Sequence, residues 1–294
     1  MGSSRAGFVA LAGRPNVGKS TLVNAVVGQK VAIVSDKPQT TRRAIRGVAT
    51  EGDSQLVLID LPGVQRPLDA LTGRMQRRVE QELADTDAAL FIVNAVQGIG
   101  PGDRFIAGAL QRAEVPVIVA VNKVDAVTAT KTAEVLMAIA ELGVGDEYFP
   151  ISARTGDGVG ELTEHLRGLM PEGPFLYDEG DASDLSSEVH FAELIREKVL
   201  RRTFNEVPHA VEIVIEGYER RDDLSVVEAR VWVETESQKG ILVGKGGRMI
   251  KAIGTAARKE LEAELGHKVH LELTVRVRND WREDDRALDR LGID

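Results

Sequence analysis

Gly13-Arg14-Pro15-Asn16-Val17-Gly18-Lys19-Ser20 follows the apolar run Phe8–Leu11 and precedes a segment of helical period. This is the pattern GxxxxGK[ST] in its required setting of strand, loop and helix. Glycines let a backbone wrap an anion, and the N–H groups of Gly18, Lys19 and Ser20 open a helix whose positive end faces it. Residues 13–20 are therefore expected to cradle phosphates, with Thr21 next in the same turn. Lys19 is expected to reach the β- and γ-phosphates of a nucleotide, and Ser20 Oγ to hold Mg²⁺.

Four further apolar runs follow, Gln55–Ile59, Ala88–Val93, Val115–Val121 and Tyr148–Ile151, each succeeded by a loop and a helix-period stretch. That alternation predicts a doubly wound α/β sheet with its ligands at the carboxyl ends of the strands. The polar residues after the runs fit such a site. Asp60-Leu61-Pro62-Gly63 places an acid at a buried strand tip, where the metal side of a phosphate loop supplies its partner, and Gly63 leaves an N–H free to approach a γ-phosphate. Asn122-Lys123-Val124-Asp125 offers a carboxylate that accepts from two adjacent N–H donors, which guanine presents and adenine does not. Asp125 left unpaired by adenine is the kind of buried polar group that discriminates sharply. Asn122 is expected to tie the loops together and Lys123 to lie along the base. Ile151-Ser152-Ala153 is expected to bring the Ala153 N–H to guanine O6.

With these motifs in order, residues 1–170 resemble a small GTPase of the translation-factor type. The resemblance makes Pro38-Gln39-Thr40-Thr41-Arg42 the first switch, in which a threonine hydroxyl closes on Mg²⁺ and γ-phosphate. Either Thr40 or Thr41 fills that role, and Thr41 is favoured. The catalytic set is then Lys19, Asn16, Thr41 and Gly63, with Ser20, Thr41 and Asp60 around the metal. Val64 departs from the Ras-type pattern, which has there a glutamine that orients the attacking water. In related GTPases with a GRPNxGKS loop an asparagine resembles a ligand for K⁺, so Asn16 either binds K⁺ near the β–γ bridge or only holds the loop's shape.

The net charge of −9 is unevenly spread. Residues 1–170 carry 18 basic and 19 acidic side chains, residues 171–187 five acids and no base, and residues 188–294 19 basic and 22 acidic. The acid-, Pro- and Gly-rich stretch 171–187 is expected to be a linker between two domains, and competition of its acids with RNA for basic groups is one expected role. Beyond it the order is α-β-β-α-α-β, not a repeat of the first domain. Between its two central helices lies Gly244-Lys245-Gly246-Gly247, the GXXG signature of a smaller α+β KH domain, here of type II. Six basic residues and no acid fall between Glu236 and Glu260, a footprint for a phosphate backbone. Lys245, Arg248 and Lys251 with the loop N–H groups are expected to meet phosphate, and Ile241, Ile250 and Ile253 to line an apolar groove for bases. Trp281 is expected to be core.

A GTPase joined to a KH domain, with Glu206-Val207-Pro208-His209 before the first KH strand, resembles the bacterial Era family over nearly the whole chain. The resemblance implies GTP or GDP with Mg²⁺ as cofactors and binding near the 3′ end of small-subunit ribosomal RNA. It further implies a role in maturation of the 30S ribosomal subunit and some peripheral membrane association, while the sequence by itself is expected to give a cytoplasmic monomer. Composition excludes other chemistries. The chain has no cysteine, hence no thiolate nucleophile, disulfide or Cys-ligated metal, and its five histidines show no paired spacing. No apolar run reaches membrane-spanning length. Two further classes stand beside this reading: a tRNA-modification or protein-targeting GTPase, and an RNA-binding scaffold that holds nucleotide without turnover.

Overall fold

Strand runs apolar on both faces need helices on both faces of their sheet, and that requirement shapes the first half of the chain. The structure, a computed structural model, describes residues 4–63 and 69–293. The chain divides into two units, one holding residues 4–32, 41–63 and 72–184, the other Ile33–Thr40, Asp69–Leu71 and residues 185–293. In chain order the first runs β1 (Arg5–Ala12), α1 (Lys19–Val27), β2 (Ile45–Glu51), β3 (Ser54–Asp60), α2 (Ala70–Ala84), β4 (Ala88–Asn94), α3 (Pro101–Leu110), β5 (Val117–Asn122), α4 (Ala129–Ala140), β6 (Glu147–Ile151) and α5 (Val159–Leu169). Residues 70 and 71 of α2 belong to the second unit.

The six strands lie in the order β2-β3-β1-β4-β5-β6. All neighbours are parallel except β2 and β3. Alternation splits each strand between two cores: Val9 and Leu11 join Leu90 and Ile92 on one face, while Ala10 and Ala12 join Phe91 and Val93 on the other. Each such Leu, Ile or Phe contributes about 1.5–3 kcal/mol by leaving water. The strand order reverses at β1, so residues 13–18 leave the sheet where doubly wound folds bind their ligands.

Two features depart from the sequence reading. β2 is an additional strand, antiparallel to β3 through a hairpin at Gly52-Asp53, with Gly52 at φ 59. The acid-rich stretch is not a free tether, because up to Asp184 it is built onto the first unit. Buried Gln55 pairs with it as a strand would: its Oε1 accepts from the N–H groups of Leu176 (2.7 Å) and Tyr177 (3.0 Å), and its Nε2 donates to the Tyr177 carbonyl at 2.9 Å. Val48 N–H donates to the Ala182 carbonyl, and Asp184 accepts from Arg46 at 3.1 Å. Asp184 is thereby engaged by β2.

The second unit comprises α6 (Ser187–Leu200), α7 (Val207–Ala210), β7 (Glu212–Arg221), β8 (Leu224–Val233), α8 (Glu236–Val243), α9 (Arg248–Leu265), β9 (Lys268–Val277) and α10 (Asp285–Arg290). Its sheet is β7-β8-β9, antiparallel then parallel. Ile195, Val199, Ile213, Val231, Leu242 and Ile253 form its core. A capping box starts α8: Thr235 Oγ1 accepts from Gln238 N–H at 3.3 Å, and Gln238 Oε1 accepts from Thr235 N–H at 3.1 Å. Trp281 is fully buried, as expected, and donates from its indole to the Ala210 carbonyl at 3.0 Å. Among the described residues no helix is long and apolar enough to cross a membrane.

Candidate functional site

The loop after β1 turns into α1 at Gly18, whose φ of 106° lies where side chains are strained. A Cβ at Gly18 would also collide with the Asn122 amide, so the position is closed to any other residue. Lys19 is buried, and its Nζ donates to the carbonyls of Gly13 (3.3 Å) and Arg14 (3.4 Å). Burial holds its pKa below the ordinary amine value, with the Asp60 charge opposing that shift. Pro15 and Val17 complete the loop. Arg14 contributes its backbone to the loop, while its side chain is engaged elsewhere. Its Nε meets buried Asp103 in the first turn of α3 at 2.8 Å, and Nη2 donates to the Gly98 carbonyl at 3.2 Å. Asp103 is a supporting residue that the sequence did not single out, since nothing marks an acid 89 positions away as a partner of Arg14.

Three oxygen-bearing side chains converge beside this loop. Ser20 Oγ donates to Asp60 Oδ2 at 2.6 Å, Thr41 Oγ1 donates to the same oxygen at 3.1 Å, and the two hydroxyls are 3.2 Å apart. Hard oxygens are the donor set that suits Mg²⁺. The structure also separates the two threonines. Thr40 Oγ1 donates to the Lys37 carbonyl at 2.6 Å, whereas the hydroxyl facing Ser20 and Asp60 is that of Thr41. Gly63 comes so close to the phosphate loop that a Cβ there would lie 2.8 Å from the Pro15 ring. Val64 lies outside the described residues.

The loops after β5 and β6 are tied to the first and to each other chiefly through the Asn122 amide. Asn122 Nδ2 donates to the Val17 carbonyl at 2.8 Å, while its Oδ1 accepts from the N–H groups of Lys123 (2.8 Å) and Ala153 (3.0 Å). The Ala153 N–H, expected at guanine O6, is thus used within the protein. Lys123, at φ 70, donates from Nζ to the Asn16 carbonyl at 2.7 Å, and burial lowers its pKa. Asn16 itself sits at φ 62. Asp125 Oδ1 accepts from Ser152 Oγ at 2.6 Å, and Arg154 pairs with Oδ2. The Ser152 hydrogen bond, then Arg154, holds the Asp125 carboxyl below its usual range. Arg154 is a second residue that the sequence reading passed over, although it directly follows the Ile151-Ser152-Ala153 motif.

The GXXG loop of the second unit is built differently. Gly244, Gly246 and Gly247 all have positive φ (68, 63 and 75°), and a Cβ at Gly244 would stand 2.8 Å from that of Met249. A single 3₁₀ turn over Lys245–Gly247 leads into α9, whose N-cap residue Gly247 gives no side-chain cap. Lys245, Arg248 and Lys251 are exposed. Arg248 Nε donates to the Lys245 carbonyl at 3.2 Å. Ile241, on α8, is 45 % exposed and Ile250, on α9, is half-buried, whereas Ile253 is fully buried. Ile253 is therefore core, placed there by the helical period of α9, and not part of an apolar groove.

Residues 8–123 match the family described as 50S ribosome-binding GTPase, and residues 206–282 match the KH domain. GTPase Era of Mycobacterium bovis is 45 % identical over 294 residues, covering 98 % of each chain. GTPase Era of a Mycobacterium sp. (strain KMS) is 44 % identical over 300 residues and the full length of both. Among solved structures, Aquifex aeolicus Era bound to GDP·AlF₄⁻ is 35 % identical with a TM-score of 0.93, covering 98 % of this chain and 99 % of its own. Era in complex with MgGDPNP and nucleotides 1506–1542 of 16S ribosomal RNA, also 35 % identical, superposes with a TM-score of 0.94 over 99 % of both chains. With both motif sets built as described and similarity running from end to end, this chain belongs to the Era family of GTPases.

Proposed function

We propose that this GTPase couples its nucleotide state to binding of the 3′ end of small-subunit ribosomal RNA, and so serves maturation of the 30S subunit. The observation that carries the reading is the convergence of Ser20, Thr41 and Asp60 beside a buried Lys19. Mg²⁺, when bound, supplies charge neutralisation at the phosphates. The hydroxyls of Ser20 and Thr41 would hold it, oriented by the carboxylate that accepts from both. Lys19 would exchange its two carbonyl partners for β- and γ-phosphate oxygens, and Gly63 N–H would meet the γ-phosphate. Asp125, Ser152 and Lys123 would bind guanine, with Asn122 holding their loops in register.

Thr41 lies between the phosphate side and the loop Ile33–Thr40, so its engagement would order that loop with GTP and release it on hydrolysis. A valine at position 64 gives water no hydrogen bond, so its orientation must come from elsewhere. Asn16 would instead add positive charge near the β–γ bridge by holding K⁺; equal turnover in KCl and NaCl would assign Asn16 to loop shape, which its left-handed backbone and bond to Lys123 also suit. On the second unit, loop N–H groups with Lys245, Arg248 and Lys251 would clamp the RNA backbone. The bound relatives above, similar over almost their whole length, support both assignments. Crosslinking to total RNA with a non-hydrolysable GTP analogue, then sequencing, tests the reading. Reads should concentrate at the small-subunit 3′ end and thin out with GDP; a distribution independent of nucleotide would overturn it.

A further inference from the structure

Helix α6 buries ten successive residues, Phe191–Leu200, and four of them are charged: Glu193, Arg196, Glu197 and Lys198. Charges are buried only at a cost of several kcal/mol per ion unless geometry compensates, so their partners are informative. Arg196 is fully buried. Its Nε and Nη2 donate to the Glu193 carboxylate at 3.3 and 2.5 Å, and Glu212 lies 4.0 Å away. The same Nη2 also donates to the backbone carbonyl of Thr40. One residue on, Glu197 Oε1 accepts from the Val34 N–H at 3.1 Å. Two neighbouring side chains of α6 thus hold the backbone of Ile33–Thr40 near both its ends.

The segment between is shaped to match. Gln39 sits at φ 58, uncommon for a residue with a side chain and maintained only where surroundings fix it. His209 Nδ1 lies 3.5 Å from Gln39 Oε1, and Lys37 Nζ lies 4.6 Å over the Phe204 ring. The Thr40 carbonyl and the Thr41 N–H belong to one planar peptide. Fixing the carbonyl therefore fixes the orientation from which the Thr41 side chain departs.

We propose that Arg196 is a positioning residue for the Thr41 hydroxyl, orienting the Thr40–Thr41 peptide so that Thr41 meets Mg²⁺ when the nucleotide is a triphosphate. The inference rests on the reading above in which Thr41 ligates Mg²⁺. An arginine suits the position because its planar, rigid fork presents donors to a carboxylate and a carbonyl in fixed directions, whereas a lysine ammonium is a rotatable point charge on a flexible stem. Any event that displaces α6 would then alter triphosphate affinity, and bound triphosphate would in turn stabilise α6.

Four full-length proteins test this: wild type, Thr41→Val, Arg196→Lys, and the double variant Glu193→Gln/Arg196→Met, which removes both charges so that neither is left buried alone. Fluorescence titrations give the Mg²⁺ concentration for half-maximal binding of a non-hydrolysable GTP analogue, with GDP affinity and melting temperature alongside. Arg196→Lys and the double variant should raise that Mg²⁺ concentration about tenfold, the effect of one lost hydrogen bond to a charged group, while GDP affinity stays within about twofold. A folded variant at position 196 with wild-type Mg²⁺ dependence, beside a shifted Thr41→Val, overturns the proposal. An unshifted Thr41→Val overturns the underlying metal assignment instead.

Discussion

The nucleotide loops and the GXXG loop both use glycine and positive charge near a helix N-terminus, yet they are finished in opposite ways. Around the first, polar groups are bonded within and between the loops: Lys19 to carbonyls of its own loop, and Asn122 to residues 17, 123 and 153. Around the second, Lys245, Arg248 and Lys251 stand in solvent on a backbone set by glycines. A cross-braced site selects by leaving a wrong ligand's partners unsatisfied; an open basic one gains affinity from phosphate charge and counterion release. The contrast suits a protein that must reject adenine nucleotides yet grip a polymer.

Asp125→Asn should have the largest effect, lowering GDP affinity about a hundredfold or more and moving preference toward xanthine nucleotides, measured by calorimetry with both. Retained guanine preference would put selectivity elsewhere. Asn122→Ala should cost roughly 2–4 kcal/mol by orphaning buried backbone groups, read as a drop of roughly 5–10 °C in melting of the first unit. A change near zero would mean the loops are not braced, and the contrast would fail. Lys245→Ala and Arg248→Ala should each weaken RNA binding evenly across sequences and reduce the log–log salt slope by about 1. A change in sequence preference would make the open site a selective one.

The smallest expected effect is with pH. Asp125 has its pKa lowered in the fold, by Ser152 first and Arg154 second. A lowered carboxyl contributes stability fully above its unfolded value and loses it only as pH falls through the lower folded one. GDP affinity should therefore be level from about pH 7.5 to about pH 5, with the acid-side decline lying below that range and moved to higher pH in Ser152→Ala.

The five parallel strands and the phosphate, guanine and GXXG loops were legible because each rests on local spacing. β2 left a signal too, Gly52-Asp53 between two apolar segments, which is a hairpin cue. The short α7 and α10 carry too few turns to show a period. What no local pattern reveals is pairing at long range. The charges of α6 look solvent-facing in sequence, yet their partners include Thr40 and Val34, more than 150 positions earlier. Nor does spacing show that the Thr40 hydroxyl contacts Lys37 while that of Thr41 contacts Ser20 and Asp60.

The stretch that Gln55 hydrogen-bonds has a practical consequence for dissecting the molecule. A fragment ending at residue 170 would expose the Gln55 amide and the β2 edge that residues 176–184 cover, inviting strand-to-strand association. One ending at Asp184 keeps its own cover. Limited proteolysis should accordingly leave residues 171–184 attached to the first unit and cut at the residues that follow, even though Pro171 begins the stretch whose composition looks most cleavable.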